Sequence, residues 1–150
     1  MQNADPCIAL IVAAGQGLRA GGGLPKQFRQ VAGKSVLRRS IETFLNHPAI
    51  ASVQVVISPD QRNLYDACTA GLNLPEPVHG GASRQESVFA GLAAIAGNKP
   101  GTVLIHDAAR ALVEPATITA VCAALERHEA VLAALPVADT LKHIETTHVR

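Results

Sequence analysis

Arg19 and Lys26 stand on either side of Gly21-Gly22-Gly23, with Gly15 and Gly17 just before them. Glycine removes the Cβ that would hold a ligand away from the backbone. Consecutive backbone N–H groups in such a stretch form a nest for an anion. Arg19 adds a planar fork of donors, and Lys26 a compact charge whose approach is restricted by Pro25. Types and spacing together suit phosphate. The other reading of the same residues is a solvated loop.

These residues need a frame. Ile8–Val12, Val53–Ser58 and Val103–His106 read as strands buried on both faces, with Ala130–Pro136 as a fourth candidate and Pro77–His79 as a short fifth. Helical patterns lie between them. One is the stripe Val36, Leu37, Ile41, Phe44 and Leu45, ended by His47-Pro48. A second opens at Ser58-Pro59, serine as cap and proline at the first helical position, and runs to about Ala70. Ser83-Arg84-Gln85-Glu86 fits a capping box ahead of Val88, Phe89, Leu92 and Ile95, and a last helix spans Ala116 to His128. Strand–helix alternation of this kind predicts an α/β fold: a doubly wound, Rossmann-like, mostly parallel sheet with helices on both faces.

Two familiar glycine motifs fail on spacing. Gly15-x-Gly17-x-x-Ala20 has the dinucleotide pattern, but that motif needs a helix at once and an acidic residue about 20 positions on. Gly21 to Pro25 blocks the helix. Gly33-Lys34-Ser35 looks like the end of a P-loop, yet Phe28 occupies the place of the required first glycine. Gly33-Lys34 reads instead as a turn between an extended Phe28–Val31 and the helix at Val36. What remains is a long loop after the first strand, wrapping a nucleoside triphosphate.

Here four stretches carry a resemblance. They are Val12-Ala-Ala-Gly-Gln-Gly-Leu-Arg19 with Leu24-Pro-Lys-Gln27, then Gly80-Gly81-x-x-Arg84-x-x-Ser87-Val88, His106-Asp-Ala-Ala-Arg110 and Pro136-Val-Ala-Asp-Thr140. In order and spacing, over nearly the whole chain, they resemble the 2-C-methyl-D-erythritol 4-phosphate cytidylyltransferase family of the non-mevalonate isoprenoid pathway, within the sugar-nucleotidyltransferase-like superfamily. The resemblance implies joining of CTP and that alcohol phosphate into a CDP-alcohol with release of pyrophosphate. A close alternative is a relative acting on another acceptor, such as a ribitol phosphate. A third reading is a nucleotide-binding domain that is catalytically incomplete.

On that resemblance Arg19 and Lys26 are the catalytic cations. Ala13, Ala14, Gly15, Gly17, Gly80, Gly81 and Ser87 bind the nucleotide, and Arg110 and Thr140 face the acceptor. Asp107, just past a strand at the edge where open α/β sheets bind ligands, is the expected Mg2+ ligand. Each has a plainer reading: a turn aspartate for Asp107, a surface ion pair for Arg110, a turn hydroxyl for Thr140, a first-turn helix residue for Ser87. His106 is expected to pack near the strand end rather than bind metal. The chain departs from the family at Ala82, where many relatives are acidic, and at Ala111, where proline is common. It is also short, so residues 1–150 read as one nucleotidyltransferase domain that lacks its C-terminal portion. In relatives that portion holds a homodimerisation arm and a late lysine, and some relatives are fused to a cyclodiphosphate synthase.

Composition narrows the partners. A formal net charge of +1 gives no field for nucleic acid, and one Tyr, three Phe and no Trp give no stacking platform for bases. Cys7, Cys68 and Cys122 are widely spaced without metal-ligand partners, so free thiols in a reducing compartment are expected. The apolar run Cys7 to Ala14 is too short for a bilayer. The first six residues carry no positive charge, unlike a signal peptide. A cytoplasmic protein with no membrane or nucleic-acid partner is the expectation.

Overall fold

The structure, a computed structural model, describes residues 6–15, 23–140, 144–145 and 148–149. Arg19 and Gly17 lie outside the described residues. Four parallel strands form the central sheet: β1 (Cys7–Val12), β4 (Ser52–Ile57), β5 (Val78–His79) and β6 (Thr102–Asp107), in the order β5-β4-β1-β6. β1 is flanked on both sides, which explains its unbroken apolar run: neither face nor edge meets water.

Alternating side chains sort into two cores. Ala9, Ile11, Val53, Val55, Ile57 and Leu104 face α1 (Val36–Leu45), α2 (Arg62–Thr69) and α4 (Pro115–Leu125), through Leu37, Ile41, Phe44, Tyr65 and Ile118. Leu10 and Val56 face the other way, with Val78, Val88 and Val103 against them, and α3 (Arg84–Ile95) covers that side. Helices therefore lie on both faces, as the alternation of segments predicted. Each fully buried Leu or Ile contributes roughly 1.5–3 kcal/mol relative to exposure. α3 differs in one respect from its sequence pattern. Its buried stripe is Ser87, Gly91 and Ile95, while Phe89 is 73% exposed. A Cβ at Gly91 would come within 2.5 Å of Leu10 Cδ1, so the helix turns its small residues to the sheet.

The segment before α1 is a short hairpin of β2 (Gln30–Val31) and β3 (Lys34–Ser35). Ala32 and Gly33 both have positive φ at its tip, which matches the twist of a tight two-residue turn. Lys34 pairs with Glu42 at 2.6 Å, so this is a turn and not a P-loop. Ser35 then caps α1 by accepting from the Arg38 amide.

Ala130–Pro136 is a correction. It is coil, with Leu132 and Leu135 almost wholly exposed. β propensity is realised only against a partner strand, and among the described residues nothing pairs with this segment. β6 pairs with β1 alone there, and Ile105 on it is 45% exposed. The remaining strands, β7 (Ile144–Glu145) and β8 (His148–Val149), form a separate small antiparallel pair.

Candidate functional site

The carboxyl ends of the parallel strands bring several of the expected residues together along one edge. The ladder continues one residue past each strand: Ala13 N donates to Val56 O at 2.7 Å, Gly80 N to Ile57 O at 2.8 Å and Ala108 N to Val12 O at 3.0 Å. These bonds fix where the loops after β1, β5 and β6 begin.

Ala14, Gly80, Gly81 and Ser87 come together as one corner. A Cβ on Gly80 would lie 2.5 Å from Ser87 Oγ and 2.6 Å from the Ala14 methyl, a space only glycine can occupy. Ser87 Oγ donates to Ser83 O at 2.9 Å and accepts from Gly81 N at 3.2 Å. Glu86 completes the capping box with Ser83 and also accepts from Ala82 N at 2.7 Å. The first turn of α3 thus holds the 80–83 turn in shape with its own side chains. Glu86 Oε2 is thus spent on the backbone of this turn, at Ala82 and Ser83.

Lys26 is exposed in a 3-10 turn, Lys26–Phe28, set by Pro25 and anchored by buried Phe28. Beside it Gln27, buried at 5% exposure, donates through Nε2 to Ala13 O at 2.7 Å and to Gly15 O at 2.8 Å. The lysine turn is therefore tied directly to the end of β1. The sequence shows this glutamine in the Leu24-Pro-Lys-Gln27 stretch but assigns it no role.

Asp107 is held between two arginines. Arg84 Nε donates to Oδ1 at 2.9 Å and Arg110 Nε to Oδ2 at 3.3 Å. Partial burial pushes this carboxyl up, and the two guanidiniums outweigh it, holding it below the usual carboxylate range. Arg84 is a second residue without an assigned role in the sequence, although it stands at the first turn of the capping-box helix. His106 packs against the Phe44 ring with centroids 4.9 Å apart, and its Nε2 donates to Arg110 O at 3.1 Å. Burial lowers its pKa, and the ring packs near the strand end as expected. Thr140 is exposed at the end of the 130–140 coil, and no described hydrogen bond ties it to Arg110. A cavity of about 380 Å³ lined by Arg39, Glu42, His47 and Pro115 lies beside α1 and contains none of these residues.

The donor set tests the expected metal. Among the described residues no three Asp, Glu, His or Cys side chains gather to hold one. Asp107 alone fits Mg2+ in the mode in which a single carboxylate joins water and phosphate oxygens. It does not fit a protein cage.

An α/β domain with a small-residue corner, a lysine turn tied to the end of β1 and an aspartate–arginine cluster on one strand edge is the frame of a nucleotidyltransferase, and comparison with known proteins agrees. The profile of the 2-C-methyl-D-erythritol 4-phosphate cytidylyltransferase (IspD) family matches residues 7–149, and the chain belongs to that family. It is 53% identical over 135 residues to a bifunctional enzyme IspD/IspF of Paramagnetospirillum magneticum, covering 90% of this chain and 35% of that protein. Against a bifunctional IspD/IspF of Rhodopseudomonas palustris it is 47% identical, covering 99% of this chain and 37% of that one. The crystal structure of 4-diphosphocytidyl-2C-methyl-D-erythritol synthase from Anaerococcus prevotii superposes with a TM-score of 0.81 at 27% identity, over 97% of this chain and 62% of that one. The chain spans little more than a third of these curated relatives.

Proposed function

We propose that the protein containing this chain joins CTP and 2-C-methyl-D-erythritol 4-phosphate, giving CDP-methylerythritol and pyrophosphate. The observation that carries this is the convergence of the Ala14–Gly80–Ser87 corner, the Lys26 turn and the Asp107 cluster on one sheet edge. A phosphate oxygen of the acceptor attacks the α-phosphorus, a new P–O bond forms, and the bond to the bridging oxygen breaks with its electron pair leaving on pyrophosphate. Two polyanions must meet, so positioning and charge neutralisation outweigh proton transfer. Lys26 and Arg19 neutralise charge on the triphosphate and the leaving group, and Arg110 and Thr140 serve the acceptor phosphate. Asp107 would hold Mg2+, which when bound supplies further neutralisation of triphosphate oxygens.

The pyrimidine is read at the small corner by backbone from Ala13, Ala14, Gly80 and Gly81, with Gly15 and Gly17 admitting the phosphates. The two bifunctional relatives support a fused cyclodiphosphate synthase as a second domain. Homodimerisation through a further arm and a cytoplasmic location complete the proposal. No described helix is long and apolar enough to cross a membrane.

The test is product formation by the complete gene product with CTP and a panel of alcohol phosphates. Turnover of the methylerythritol phosphate with CTP well ahead of UTP is expected. Preference for another acceptor, or equal use of the two nucleotides, would overturn the assignment.

A further inference from the structure

The carbonyls of Ala13 and Gly15 lie just past Val12, the last residue of β1. Ala13 is buried, and a buried carbonyl without a donor costs about 1–3 kcal/mol, whereas Gly15 is exposed. One side-chain amide meets both: Gln27 Nε2, whose two hydrogens match two acceptors. It skips Ala14, whose methyl is left against Gly80. Gln61, itself buried, brings Oε1 to 3.4 Å of the same nitrogen. Gln27 lies between Lys26 and Phe28, and Phe28 is locked in the core. Any shift of the glutamine must move the lysine.

We infer that Gln27 is a positioning residue that sets Lys26 against the nucleotide-reading corner, so that one amide registers the phosphate cation to the base pocket. This rests on the function proposed above, and it names a residue of the same site. Gln27 touches no reacting atom and acts through Lys26 and the Ala13–Gly15 backbone.

The test is a double-mutant cycle in the complete gene product, read as kcat and KM for CTP and, separately, as CTP affinity by calorimetry. Gln27→Glu keeps the volume and removes both donors, and Gln27→Ala admits water should the carboxylate prevent folding. Misplacement of a reacting group by an ångström can cost about 100-fold, so either variant should lower kcat by about 10- to 100-fold. In the Lys26→Ala background the same change should cost less than about 3-fold, because the group being positioned is gone. Equal loss in both backgrounds, with a lowered Tm, would make Gln27 a stability element only and overturn the inference. If the wild-type protein transfers no cytidylyl group, the functional proposal fails on its own. The cycle is then decided on CTP affinity, where additive effects overturn the inference and coupled ones support it.

Discussion

Arg84, in the first turn of α3, places its Nε and Nη2 2.9 Å from Oδ1 of Asp107, at the end of β6. The two residues are 23 apart in the chain and come from opposite sides of β1 in the sheet edge. The same helix turn carries Ser83, Glu86 and Ser87, which shape the small-residue corner. The pair therefore links the small-residue corner to the carboxylate at the end of β6.

Arg84→Ala should separate stability from function. Both side chains are partly solvated, at 62% and 35% exposure, so the pair stabilises the fold by no more than about 1 kcal/mol. Thermal unfolding should hardly move, while the Mg2+ concentration for half-maximal rate should change, since Asp107 loses a competitor for its oxygens. Asp107→Asn should raise that concentration more than it weakens metal-free CTP binding. Unchanged metal dependence in both would make the cluster structural.

The Asp107 carboxyl also predicts a pH response. Its pKa is lower in the folded protein than in the unfolded chain, so protonation favours unfolding. Its stabilising contribution is present above the ordinary carboxylate value and is lost as pH falls through the depressed one. Asp107→Asn should therefore flatten the acid limb of stability against pH, measured by urea titration at each pH. An identical acid limb would show the pairing to be absent in solution.

Lys26→Ala and Arg19→Ala should each lower kcat about 10²–10³-fold, the usual cost of one preorganised charge contact. Lys34→Ala should leave the rate almost unchanged, because its Nζ is spent on the surface pair with Glu42. A comparable collapse at Lys34 would reverse the assignment of the hairpin as a simple turn.

Gly80→Ala should raise KM for CTP and narrow its advantage over UTP. The added methyl would sit 2.5 Å from Ser87 Oγ and must push the turn away from Ala14. Gly81→Ala acts differently, since its Cβ would meet the Glu86 side chain at 2.5 Å and disturb the cap of α3. That variant should lower stability as well, by about 1 kcal/mol if one capping contact is lost. Wild-type kinetics in Gly80→Ala would remove the corner from base recognition.

Cys7, Cys68 and Cys122 are free thiols. Burial, reinforced by the neighbouring Cys122, pushes the Cys7 thiol up to about 11. At pH 8 its thiolate fraction, and hence alkylation by iodoacetamide, should be about 100-fold below that of a thiol at its ordinary value. The triple serine variant should keep its activity. Rapid alkylation at Cys7, read by peptide mass, would refute the burial argument.

The sequence alone determined what depends on near neighbours. The apolar runs of β1, β4 and β6, the serine cap of α3 and the Gly33 turn each follow from propensity or a bond across three or four residues. Family-specific spacing also singled out the Ala14, Gly80 and Asp107 segments, which fold to one edge of the sheet. Tertiary structure decided the rest. Ala130–Pro136 has strand-like residues, yet a strand needs a partner edge, and pairing is a property of two segments. Gln27 and Arg84 are ordinary polar residues in sequence. They acquire meaning only where folding brings the Ala13 and Gly15 carbonyls to one and a β6 carboxylate to the other, because a hydrogen bond between distant residues is specified by the positions of both ends.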